Sequence, residues 1–372
     1  MKWLQNGNLA KLVAFFVIAV VLTCTVSFAA NGWQSFIYNE PDSDKITTES
    51  NSANNKVDEN NHGTVDTDIP VVQPGQKYYH AITGLQTDIE TAYKTPISIC
   101  IDSNGPLYGI STSYLTIEFP TEYGNTRFLS FTDEATSLGK IGSLAPSRAY
   151  ISNFTSYFGG ILLSYGYDDK FEYTSALPSS ALDLQGLSGY CYTEYNSFVY
   201  TNGDLVNAMM NNTGVAQTTQ EGVSLPYTFP EYTDTVYPSG DKAEVISIAF
   251  SSSSDSLLSY SLDTGKYFFT KNGSVKKDLL NDKAINYDNV FVLYANATTY
   301  ETEEHTQLII DTYTSGTGIY ATMGKYVQIT WERDESGNLV FYNSSGEKLT
   351  VNRGSSYIAF VKASAKSTVQ VS

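Results

Sequence analysis

Residues 325–331 read KYVQITW, and this stretch decides the class of the second half of the chain. Val327, Ile329 and Trp331 alternate with Gln328 and Thr330, the period-two pattern of a strand with one buried face. DESGN (334–338) and NSSGEK (343–348) follow at intervals and have hairpin-turn composition. Working outward, EVISIAF, LLSYSL, KYFFT, NVFVLYA, QLIIDTY, GIYAT, NLVFYN, KLTV and YIAFV repeat the pattern between turn signals. About ten short strands so spaced predict a mostly antiparallel β domain over residues 239–372.

Before it, residues 225–241 (LPYTFPEYTDTVYPSGD) read as a linker rich in Pro and Tyr. The preceding segment, 76–238, mixes two periods. TPISICI (95–101), YLTIEF (114–119), RFLSF (127–131) and ILLSY (161–165) are strand-like, rich in β-branched and aromatic residues. Ile151, Phe154, Tyr157 and Phe158 recur at helical spacing, with Ser147 as the expected cap and Gly159 as the stop. TNGDLVNAMMNN (201–212) reads as a second helix capped by Thr201. The expected class is therefore α+β, an N-terminal mixed α/β domain followed by the β-rich one.

The first 75 residues differ in kind. Lys2 and Lys11 precede an uncharged run from Leu12 to Ala30, the pattern of an export signal. At nineteen residues and about 1.5 Å per residue, the run is also almost long enough to cross a bilayer core. Cleavage after Ala29, an uncleaved anchor through residues 12–30, and acylation of Cys24 all fit. Residues 31–75 are rich in Asn, Asp, Ser, Thr and Glu and too poor in apolar surface to fold, so they read as an acidic tether.

The formal charge is −17, from 39 acidic and 22 basic residues. Such a balance excludes nucleic acid as a partner and argues against electrostatic docking on an anionic membrane. It suits a soluble domain held outside the cell, anchored or secreted. Cys100 and Cys191 are the cysteines outside the leader; a disulfide and two separate thiols both fit their spacing.

Only four arginines occur, and Arg127 and Arg148 share the window EYGNTRFLSFTDEATSLGKIGSLAPSRAY (122–150). A guanidinium in a first helical turn opposes the helix dipole by about 0.3–1 kcal/mol, so Arg148 calls for a carboxylate partner or a bound anion. Glu118 is the acid nearest these groups in the strand pattern. It reads as a salt-bridge partner of Arg127 or Arg148, or as a carboxylate for glycan chemistry. No histidine has the company of a nucleophile. The acids of ETEEH (301–305) and YDDKFE (167–172) lack the spacing of a calcium loop. Neither a catalytic set nor a metal or cofactor is expected. The 29 tyrosines suit sugars and protein interfaces alike.

The order of ITGL (82–85), YGISTSYLTIEF, YGNTRFLSF, GKYFFTKNG, NYDNVFVLYA, GTGIYATMGKYVQITWERD and NLVFYNSSGEKLTVNRGSSYIAFV resembles the YerB-like proteins of Gram-positive bacteria. The resemblance covers roughly 78–361. It implies a two-domain fold and an exported, typically lipid-anchored envelope protein of poorly defined role. The family typically runs Ile-Gly-Pro-Val-Arg-Ser-Ala-Arg; here Ile141, Gly142 and Arg148 stand, but Ala145 replaces the earlier arginine. Tyr165 falls in the segment matching the family's His-Ala-Gly-Gly, and Tyr200 in the one matching His-Asn-Leu-Tyr-Thr. The resemblance thus implies a polar site with much of its charge removed, leaving Glu118, Arg127, Arg148, Tyr165 and Tyr200 as candidate binding residues. It points to a non-catalytic binding or scaffolding role among bacterial cell-wall assembly proteins; the alternative is a protein that binds cell-wall glycan, or an enzyme that acts on it, in a cleft of the N-terminal domain.

Overall fold

The strand expected over YLTIEF (114–119) forms as Leu115–Pro120 and is buried along its whole length in the computed structural model. The structure describes residues 76–166, 181–187, 189–194, 197–217, 224–301 and 306–372. The expected leader, tether, Cys24, YDDKFE and the tip of the ETEEH loop lie outside them.

Full burial follows from the topology. Leu115–Pro120 lies inside a 13-stranded mixed sheet. One flank is the hairpin partner Thr126–Thr132, antiparallel; the other is Ser356–Lys362, parallel and 241 residues on at the Ser356–Leu115 pair. Ser356–Lys362 also runs parallel to Asn289–Ala295, which continues through Ser315–Thr322, Lys325–Arg333 and Leu339–Tyr342. Beyond Thr126–Thr132 stand Ile97–Asp102, Ile141–Leu144, Val199–Thr201 and Tyr192–Thr193. One sheet thus takes strands from both sides of the 238/239 boundary, and the described residues from 76 onward fall in one compact unit.

Both faces of this sheet are covered, which is why its central strands lack polar alternation. On one face, Ile97, Ile99, Phe128, Val290 and Ala359 pack against Ile246, Ile248, Leu258 and Phe269 of a second, six-stranded sheet. On the other, Ile117, Phe119, Leu129, Phe131, Phe291 and Phe360 pack against Tyr150, Ile151, Phe154 and Phe158 of the helix Ala149–Tyr157. The fold is mostly β, and among the described strands pairing is antiparallel except around Ser356–Lys362 and Ile161–Ser164.

Local expectations are met with shifts at the caps. The helix Ala149–Tyr157 is entered through Arg148 instead of Ser147, with no side-chain cap. The helix Gly203–Thr213 is capped by Asn202, whose side chain accepts from the Leu205 N–H, because Thr201 is still in a strand. KLTV makes only isolated bridges, through Lys348 and Thr350. Among the described residues no helix is long and apolar enough to cross a membrane.

Phe360 stacks on Phe119 at 5.1 Å and meets Phe154 and Trp331 edge-on. Its truncation leaves a void in the packing beneath that helix. Phe360→Ala should cost about 3–5 kcal/mol of unfolding free energy, read as a lowered urea midpoint at unchanged slope.

Candidate functional site

The charged candidates separate by strand geometry. Paired residues on neighbouring strands share a face. Glu118 stands opposite Phe128, and Phe119 opposite Arg127. Glu118 and Arg127 therefore project to opposite faces of the large sheet. The expected pairing of Glu118 with Arg127 or Arg148 does not form, and the pleat is the reason.

Glu118 faces the small sheet, where Lys271 Nζ donates to its Oε1 at 2.6 Å. Both side chains are 0 % exposed. The carboxylate also accepts from Thr126 Oγ1 at 2.5 Å, Ser256 Oγ at 2.8 Å and the Tyr357 hydroxyl. Lys271 donates further to Ser254 and Ser256 and lies 5.0 Å from the centre of the Phe250 ring. Burial, and then the Glu118 charge, push the Tyr357 hydroxyl well above its usual range, so it stays a donor. A buried pair stabilises only when its remaining hydrogen-bonding capacity is filled, and here it is. The group is closed to any substrate.

The two arginines converge on the opposite face. Arg148 Nε and Nη2 donate to the two Glu122 oxygens at 3.1 and 2.9 Å, and Nη1 to the Ser147 carbonyl at 3.0 Å. Glu122 Oε1 also takes the Leu308 N–H. A carboxylate thus offsets the helix dipole at Arg148, as its position demands. Arg127 donates to the Pro146 carbonyl at 2.7 Å. Burial, and then the Arg148 charge, lower its pKa. Burial raises Cys100, beside this cluster, to about 11. Cys100 and Cys191 are free thiols.

The tyrosine candidates go elsewhere. Tyr165 is half-buried against the core, its N–H on the Ala145 carbonyl. Tyr200 is fully buried. Its ring and that of Tyr108 each lie 4.0 Å from Lys140 Nζ, which is bonded to Glu194 at 2.7 Å. The five candidates therefore occupy four separate places and form no common cleft.

The open site lies on a face the sequence reading did not single out. A groove of about 520 Å³ separates Thr83, Leu85 and Ile110–Tyr114 from Lys266, Phe268 and Lys283–Asp288. A second hollow of about 350 Å³ shares Leu85 and Asp288 with it and runs past Tyr232 and Asp234 to Arg353. Asp288, at the junction, is saturated. Lys266 Nζ reaches both its oxygens at 2.8 and 2.9 Å, and Ser355 donates its N–H and hydroxyl. Gly354 makes this approach possible, since a Cβ there would sit 2.3 Å from Asp288 Oδ2. The hydroxyl of Tyr114, in the wall, donates to Asp133 at 3.2 Å; burial above all holds its pKa well above the usual range. The groove offers hydroxyls, an amide, ring edges and ammonium groups, a lining suited to holding a ligand. Among the described residues no cluster of three His, Cys, Asp or Glu could hold a metal ion.

With this geometry in hand, residues 246–358 match the family model described as the C-terminal domain of DUF3048, a protein family of unknown function. No curated protein matches. The crystal structure of the YerB protein from Bacillus subtilis superposes with a TM-score of 0.67 at 17 % identity, over 80 % of this chain and 100 % of that one.

Two outcomes test the buried groups. Lys271→Met leaves Glu118 buried without its cation and should cost about 3–5 kcal/mol, whereas adding Glu118→Gln should recover part of that loss in a double-mutant cycle. Glu122 is pushed up by burial but pulled down more by the Arg148 hydrogen bonds and charge, so its carboxyl titrates below its ordinary value of 4.5. Its stabilisation is present above that value and is lost as pH falls through the lowered one. Acid titration should show wild type losing more stability below pH 4.5 than Glu122→Gln. From this geometry and the matches, the chain has the fold of the YerB structure, and its residues 246–358 are similar to the C-terminal domain of DUF3048.

Proposed function

We propose that this chain is a non-catalytic binding or scaffolding protein of the bacterial cell envelope, held on the extracytoplasmic side through residues 12–30 and linked to cell-wall assembly. The observation that carries the non-catalytic reading is the state of Glu118. The one carboxylate expected to act on a glycan is fully buried and filled by Lys271, Thr126, Ser256 and Tyr357. The open groove has its own carboxylate, Asp288, saturated by Lys266 and Ser355. Neither is available to move a proton on a substrate, while the groove retains room and donors for a ligand.

The basic residues ahead of the uncharged run and the acidic composition support the compartment. We also read residues 76–238 as a mixed α/β domain and 239–372 as a β-rich one, joined through the parallel Ser356–Lys362 strand.

Muropeptides and wall polymers at millimolar concentration should raise the melting temperature of the full chain, because a ligand at 100 times its Kd stabilises by about 2.7 kcal/mol. Leu85→Trp, which fills the groove from an exposed position, should abolish the upshift. The same fragments should be recovered intact by chromatography. Conversion of any fragment to product, lost in Glu118→Gln, would overturn the non-catalytic reading.

A further inference from the structure

The groove departs from the rest of the chain in charge. Acids outnumber bases 39 to 22 overall. The two joined hollows reverse this, with Lys266, Lys283 and Arg353 against Asp234 and Asp288. Asp288 is neutralised by Lys266. Lys283 is exposed, and its ammonium group has no carboxylate within ion-pair distance among the described residues.

Arg353 is held for use. Its guanidinium lies 5.6 Å from the Phe229 ring centre and 5.2 Å from that of Tyr232, and Nη1 donates to the Glu231 carbonyl at 3.1 Å. Rings and a backbone carbonyl orient the planar group without cancelling its charge, and a braced guanidinium loses little freedom on meeting a two-oxygen anion. Its Nε is buried with no hydrogen-bond partner. Asp234, on the exposed side of this hollow, is the opposing charge. Between the cations, apart from the Lys266–Asp288 ion pair, the polar lining is uncharged. Ser111, Ser113, Ser355 and Asn286 supply polar groups, and Phe268 and Tyr287 supply ring surface.

We infer that this groove binds an anionic hydroxylated chain, a polyol or sugar polymer bearing phosphate or carboxylate groups, with Lys283 and Arg353 as the anion contacts and the serines and Asn286 on the hydroxyls. The inference rests on the groove being the binding site proposed above and adds the ligand class. Lys283 and Arg353, set against Asp234, are the charges such a ligand would meet on approach.

The test titrates the full chain by calorimetry with three probes: glycerol phosphate oligomers, oligogalacturonate and neutral chitin oligosaccharides. Binding of one or both anionic probes, weakening as salt is raised, is the expected result; their ranking separates a phosphate from a carboxylate ligand. Lys283→Gln and Arg353→Gln should each weaken binding about tenfold, the worth of one charged hydrogen bond. The ligand-free melting temperature of Lys283→Gln should be unchanged, since the side chain is exposed. Neutral chitin binding as tightly as the anions, indifferent to salt and to both variants, would overturn the ligand class and leave the non-catalytic binding reading standing. Anionic binding that survives Leu85→Trp would place the anion site outside the groove and overturn the inference.

Discussion

The Glu118–Lys271 pair is the constraint around which the two sheets are arranged. A carboxylate at zero exposure inside a β-sandwich is tolerable only when donors from several elements reach it at once. Here they come from Thr126 on the neighbouring strand, Ser256 and Lys271 on the small sheet, and Tyr357 on the parallel strand. Satisfying one acid therefore fixes the small sheet against the large one and fixes the register of Ser356–Lys362. The effect reaches the open groove through Tyr287, whose ring packs 5.4 Å from that of Tyr357 and which lines the groove wall.

The four arginines show how a strongly acidic chain uses scarce guanidiniums. Arg127 and Arg333 donate to backbone carbonyls, Arg333 also lying over the Phe154 and Tyr157 rings. Arg148 holds Glu122, tying the entry of the Ala149–Tyr157 helix to the turn after Leu115–Pro120 and, through the Leu308 N–H, to the strand Thr306–Ile310. Arg353 alone stands at an open hollow, between two rings. Acidic surroundings did not convert each arginine into a surface ion pair. Planar geometry suited three of them to closing backbone and helix ends inside the fold.

Much of this was legible in local pattern. The strands Lys325–Arg333 and Leu339–Tyr342 and the turn between them follow from alternation and turn composition. The carboxylate partner of Arg148 follows from the helix dipole. A further signal was present and unused. Period two places Lys271 on the same face as Tyr267 and Phe269, both buried, which marks it as a buried cation in search of an acid. The groove had no such signal, because Thr83, Lys283 and Arg353 reach it from three distant segments.

The chain by itself determined which residues form strands, where they turn, and that Glu118 and Arg127 have alternating neighbours, since these depend on spacing within a few residues. Only the tertiary structure decided that Glu118 meets Lys271, 153 positions away, and that a parallel strand from near the C-terminus joins the two halves into one sheet. Periodicity assigns a side chain to a face. It carries no information about which other face will cover it, and in this protein that covering turned an expected site acid into a buried structural anion and left the open groove on another side.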